Sequence, residues 1–179
     1  MTVGTDHHPF NRLIAWTNDW LAQHPDRTCD FFVQSGAASV IPACPSVRFL
    51  ETAQLDALLD EADVMVCHGG PGSIADAWAR GQVPIVVPRL RQLGEVVDDH
   101  QVDFCRKLAE LGRIRVAQEP AGLAGLLDDA ARDHTRFRIA GRVADVDAAV
   151  ARIGELVEEL ADRPSRWPPL IRTRRRIRR

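Results

Sequence analysis

The run Val64-Met65-Val66-Cys67 leads without a polar residue into His68-Gly69-Gly70-Pro71-Gly72-Ser73, and a helical pattern follows at once. A continuously apolar strand needs cover on both faces, which is the situation of a parallel sheet with helices packed on each side. Parallel strands in turn need helical crossovers between them. This single unit therefore commits the chain to an α/β layer architecture.

The rest of the chain repeats the alternation. Thr2-Val3 is a strand stub, shorter than the usual five or so residues of a buried strand. Phe10 to Leu21 is predicted helical, with Phe10, Leu13, Ile14, Thr17 and Leu21 on one face. Phe31-Val33 and Val47-Phe49 are short strands. Thr52 is placed to cap a helix that buries Leu55, Leu58 and Leu59. Ser73–Arg80 is helical and ends at Gly81. Val83–Val87 and Ile114–Val116 are further strands, and His100–Leu111, Pro120–Arg132 and Val143–Leu160 further helices. The expected fold is a doubly wound, mainly parallel, Rossmann-like sheet.

Charge divides the chain. Eight of the 23 basic residues and no acidic one follow Asp162, which leaves 15 basic against 25 acidic residues in 1–162, a net of −10. We expect one domain over 1–162 and a Pro/Arg-rich basic tail over 163–179. A nucleic-acid-binding domain would carry its basic residues on the folded surface instead, so no nucleic-acid partner is expected. Arg172 to Arg179 fits a solvated tail or a contact with an anionic membrane surface or an acidic partner. Cys29, Cys44, Cys67 and Cys105 have neither zinc-ligand nor redox-pair spacing, and residues 1–6 lack the basic and apolar regions of a secretory signal. A cytoplasmic protein with reduced thiols is the expectation.

The glycine-rich turn carries the chemistry. In a parallel sheet it lies at the carboxyl end of a strand, where ligands bind. The helix after it offers unpaired N–H groups and a partial positive charge. Gly69, Gly70 and Gly72 permit close approach of a phosphate, Ser73 has a hydroxyl to donate, and His68 a ring N–H. The alternative is a turn needed only for packing, with Ser73 as its cap. The turn is not the GxGxxG fingerprint and has no P-loop lysine. A second cluster, Arg89, Glu95, Asp98, Asp99, His100 and Gln101, follows the next strand and should face the same crevice. Asp99 and Gln101 suit sugar hydroxyls, although Asp98 or Asp99 also suits a helix cap. Arg89 suits a phosphate or a uronic-acid carboxylate, or a structural ion pair.

These residues resemble the donor motif of GT-B glycosyltransferases, in which the position of Asp76, usually Glu, holds a ribose. Asp76 otherwise serves as a carboxylate in a first helical turn. Thr2-Val3-Gly4-Thr5, Pro9-Phe10, Arg12-Leu13-Ile14, the His68–Ser73 turn and the Val87-Pro88-Arg89 to Asp99-His100-Gln101 segment resemble the soluble subunit of bacterial two-component polysaccharide glycosyltransferases. That subunit is similar to the soluble subunit of the eukaryotic dolichol-linked N-acetylglucosaminyltransferase and to the C-terminal half of family 28 enzymes.

The resemblance implies the C-terminal half of a GT-B enzyme, with a UDP-sugar held among Gly4, Thr5, the His68–Ser73 turn and Asp99–Gln101. It implies no metal and no cofactor beyond the donor substrate. His68 and Ser73 would stabilise the leaving diphosphate. It implies an inverting transfer to a polyprenyl-diphosphate-linked saccharide, for exopolysaccharide or cell-surface glycan synthesis. The acceptor half would be a separate membrane-anchored subunit, holding this protein at the inner face of the membrane. A catalytic base usually comes from that half, but His7 and His8, next to Asp6, are candidates here. A non-catalytic nucleotide-sugar-binding protein and a UDP-sugar epimerase-like enzyme are the competing readings.

Overall fold

A computed structural model describes residues 1–139 of the chain. The expected helix Val143–Leu160 and the arginine tail lie outside the described residues. The chain opens on Thr2, then α1 (Asn11–Gln23), β1 (Val33–Gln34), β2 (Ser46–Val47), α2 (Thr52–Glu61), β3 (Val66–His68), α3 (Pro71–Ala79), β4 (Ile85–Val87), α4 (His100–Glu110), β5 (Arg115–Val116) and α5 (Pro120–Arg132). Every strand pairing is parallel. Two ladders, β2-β1 and β3-β4-β5, meet through Thr2, which bridges Gln34 on one side and Cys67 on the other. The expected strand stub is therefore a single bridging residue at the centre of the order.

The period-two alternation of the strands sends side chains to two separate cores. Val66, Ile85 and Val87 join Phe10, Leu13, Ile14, Leu123 and Leu127 beneath α1 and α5. Met65, Cys67 and Val86 point the other way, into Leu59, Ile74, Ala77 and Cys105 from α2, α3 and α4. Fully burying each aliphatic side chain contributes about 1.5–3 kcal/mol. The doubly wound α/β fold expected from the alternation is what the chain adopts.

Boundaries moved for local reasons. α3 begins at Pro71 rather than Ser73, because proline at the first helical position has its φ preset and no N–H to leave unpaired. α2 is preceded by Glu51, whose N–H is taken by the Gln54 side chain at 3.1 Å, so Thr52 is the first helical residue and not the cap. Of the three leucines expected inside α2, Leu59 is buried while Leu55 and Leu58 are half-buried.

Candidate functional site

The site forms where the loops after Thr2-Val3, β3 and β4 converge at the carboxyl ends of the strands. The deepest part is built on His68. Its Nδ1 accepts the Gly70 N–H at 3.0 Å. A ring nitrogen that accepts has no proton of its own, so Nε2 bears the hydrogen and donates it to Ser73 Oγ at 3.2 Å. Burial, then the positive field of Arg89, pushes His68 down to about 4, so the ring is neutral at pH 7. Among the described residues the His68 ring is thus joined to Gly70 and Ser73 in a relay. Gly70 N–H orients His68, His68 occupies an acceptor site of Ser73, and the Ser73 hydroxyl hydrogen has no acceptor among the described residues.

Two backbone donors join it. In α3, Ile74 N–H already reaches Gly70 O at 3.2 Å, and Pro71 has none. The N–H groups of Gly72 and Ser73 have no acceptor among the described residues, at the positive end of the helix. The three glycines expected to admit a phosphate have different duties. A Cβ on Gly70 would lie 2.2 Å from His68 Cε1, and one on Gly69 would lie 2.7 Å from Cys105 Sγ. Those two glycines make room for side chains beneath them. Only at Gly72 does a Cβ meet nothing within 4 Å, so Gly72 is the open position of the turn.

Gly4 lies against the same histidine: its φ is +83°, and a Cβ there would lie 2.5 Å from His68 Nε2. Buried Gln34 holds this loop, donating to Gly4 O at 3.1 Å and to Arg48 O at 2.8 Å, and accepting from the Thr2 hydroxyl. Gln34 was not among the sequence candidates. A glutamine closing the apolar run Phe31-Phe32-Val33 is the one trace it leaves in the sequence. Thr5 is exposed beside Gly4.

Arg89 and Glu95 are corrections. Arg89 is 1% exposed; its two Nη groups are engaged with the chain, while its buried Nε has no hydrogen-bond partner among the described residues. Its Nη1 donates to His8 O and Glu95 O at 2.8 Å each, and its Nη2 to Val3 O at 2.7 Å. Phe10 lies under the guanidinium, 4.7 Å away. Burial pushes the Arg89 pKa down, while Asp6 and Glu95 oppose that shift. Its carbonyl partners leave it pinning two loops together rather than facing a ligand. Glu95, also buried, takes a two-point bond from Arg12 at 2.9 and 2.7 Å and the Leu90 N–H at 2.9 Å. The carboxylate is consumed inside the protein.

The remaining candidates divide. Gln101 Oε1 accepts the Arg89 N–H at 3.3 Å and sits against Gly69, so its amide spans both loops and its NH₂ has no acceptor among the described residues. Asp99, the N-cap residue of α4, makes no side-chain cap bond; its Oδ1 accepts the Arg91 N–H at 3.0 Å, while Asp98, one residue earlier, takes the His100 N–H at 3.1 Å. His100 lies against Asp98 at 2.9 Å with its side chain 90% exposed. The Asp76 carboxylate, one turn after Gly72, has no partner among the described residues. A cavity of about 620 Å³ lies elsewhere: Met1, Phe32, Leu58, Met65 and Leu127 line it at the opposite end of the strands.

Residues 1–141 match the model of the glycosyltransferase family 28 C-terminal domain. The chain belongs to this family. Curated relatives include the UDP-N-acetylglucosamine--N-acetylmuramyl-(pentapeptide) pyrophosphoryl-undecaprenol N-acetylglucosamine transferases of Aromatoleum aromaticum and Ralstonia nicotianae. The first is 31% identical over 106 residues, covering 56% of this chain and 29% of the relative. The second is 31% identical over 107 residues, covering 51% and 28%. The chain thus spans under a third of the length of these relatives. Among solved structures, the glycotransferase of kitacinnamycin superposes with a TM-score of 0.55 at 20% identity, over 88% of this chain and 42% of that one. Acinetobacter baumannii MurG superposes with 0.51 at 17% identity, over 76% and 42%. The fold is that of the C-terminal half of a GT-B glycosyltransferase, as the family resemblance implied. Among the described residues no helix is long and apolar enough to cross a membrane.

Proposed function

We propose that this family 28 domain binds the donor of an inverting glycosyltransferase, a UDP-sugar. The observation that carries this is the set of three outward donors at the start of α3: Gly72 N–H, Ser73 N–H and the Ser73 hydroxyl aimed by His68. Donors fixed before the reaction stabilise charge as it develops, without reorganisation. A leaving diphosphate is where negative charge grows when a sugar is transferred. Asp76 and the Gln101 amide are the proposed partners of ribose and sugar hydroxyls.

The acceptor in this reading is a polyprenyl-diphosphate-linked saccharide in exopolysaccharide or surface-glycan synthesis, presented by a separate membrane-anchored half. Support comes from the activity named for the two curated relatives and from the match over residues 1–141. The arginines from Arg172 onward are proposed to add contact with anionic lipid. A non-catalytic sugar-nucleotide binder would hold the same donor set but support no transfer.

Titration calorimetry with UDP-N-acetylglucosamine tests the donor site. Saturable binding is expected, with Ser73→Ala weakening it about tenfold, the loss of one hydrogen bond to a charged group. A wild-type chain that gives no heat with this nucleotide sugar or with UDP itself would sink the reading.

A further inference from the structure

We propose that His8, held by Asp6, is the proton acceptor for the incoming hydroxyl in the transfer reaction; the inference rests on the donor-half reading above. Asp6 Oδ1 accepts both the His8 backbone N–H and His8 Nδ1, each at 2.7 Å. Although its partial burial acts the other way, these bonds hold the Asp6 carboxyl below its ordinary range, so it has no proton to share. His8 Nδ1 therefore carries the hydrogen and Nε2 is left with a lone pair. Nε2 has no partner among the described residues.

Placement favours His8 over its neighbour. The His8 side chain is 23% exposed against 85% for His7, whose Nδ1 is 3.6 Å from the same carboxylate. The His8 carbonyl is fastened to Arg89, and the other hand of that guanidinium holds Val3. Gly4, inside this loop, touches His68. The imidazole is thus fixed on the loop beside the donor turn. The charged and titratable groups around it are Asp6, His7, whose ring centroid is 3.9 Å away, and Arg89, and the Asp6 charge reaches across to His68.

The step balances simply. The acceptor hydroxyl gives its proton to His8 Nε2 as its oxygen bonds to the anomeric carbon. The bond from that carbon to the diphosphate oxygen breaks, and its electron pair leaves with UDP towards Gly72 and Ser73. His8 then returns its proton to solvent.

The test uses the full chain with membranes of its own organism as the source of acceptor, and UDP-N-acetylglucosamine as donor. Calorimetry reports donor binding, and lipid-incorporated sugar reports transfer. His8→Gln should keep donor affinity within about twofold and lower kcat at least a hundredfold, the lower range for losing a positioned base. Asp6→Asn should lower kcat less and move its acid limb to lower pH, a shift that loss of mere scaffolding would not produce. His7→Gln should transfer at the wild-type rate. Nitrogen-15 NMR of the wild-type chain should show His8 as the Nδ1–H tautomer. Transfer undiminished in His8→Gln, or an Nε2–H tautomer, overturns the proposal. A wild-type chain that does not bind donor removes the donor-site reading instead.

Discussion

At the scale of single residues, the turn mixes positions packed against the protein with an open position that the proposed donor site would use. Gly70 and Gly72 are two apart in sequence and opposite in duty. Gly70→Ala drives a Cβ into the His68 ring, so a loss of about 1–3 kcal/mol is expected from overpacking. Gly72→Ala meets open space within a helix, so a gain of about 0.5–1 kcal/mol is expected, with weaker donor binding as the crowded face meets the phosphates. Urea denaturation of the two variants, beside calorimetry with UDP, checks both signs; equal losses of stability would contradict the assignment.

His68 also sets a pH dependence. Its folded pKa, about 4, is depressed from 6.5, chiefly by burial, so the folded state resists the proton that the unfolded chain accepts. The stability it contributes is fully present above pH 6.5 and is lost as pH falls toward 4. The loss is about 3 kcal/mol at roughly 1.4 kcal/mol per pH unit. Denaturation midpoints measured across that interval should fall; a flat profile would show that His68 is not held neutral by the fold.

At the scale of elements, the loops after Val3 and β4 are one unit joined by charge. Arg12 on α1 grips Glu95, Glu95 also holds Leu90, and Arg89 holds His8, Val3 and Glu95. Removing one member leaves its buried partner uncompensated, which is costlier than the pair is favourable. Glu95→Ala should destabilise the domain by about 3 kcal/mol and weaken donor binding indirectly, through the loosened Gly4 loop. Far-UV circular dichroism during urea unfolding measures the first, and recovery of stability in an Arg12→Met, Glu95→Leu double variant would separate packing from charge. Sequence patterns placed these residues in the loop after β4 and carried no sign of the protein partners that the fold gives them. Arg89 and Glu95 look like ligand groups because their partners lie as far as 86 residues away and are backbone carbonyls or another charge.

At the scale of the whole molecule, the described domain has two apolar cores that meet across one sheet, with the polar loops after Val3, β3 and β4 at its carboxyl edge. Ligand that binds only the folded state adds stability by mass action, about 2.7 kcal/mol at a hundredfold excess over Kd. For a domain of this size that corresponds to a rise in Tm of about 5–10 °C. UDP-N-acetylglucosamine should produce it in the wild-type chain and not in a Ser73→Ala, His68→Ala double variant. An equal rise in both would place the nucleotide elsewhere on the surface.

What the sequence determined by itself was the layering and the turn where the candidate site is sought. The apolar run Val64–Cys67, the glycine turn after it and the helical periodicities are local patterns, and each records its own burial and its own free N–H groups. The tertiary structure decided which polar groups remain free. That depends on partners brought from Val3, Arg12 and Gln34, which no spacing within the turn encodes. It spent Arg89 and Glu95 on the scaffold and turned His68 inward onto Ser73. Among the described residues it left the Gly72 and Ser73 N–H groups, the Asp76 carboxylate, the Gln101 NH₂ and His8 Nε2 without a protein partner.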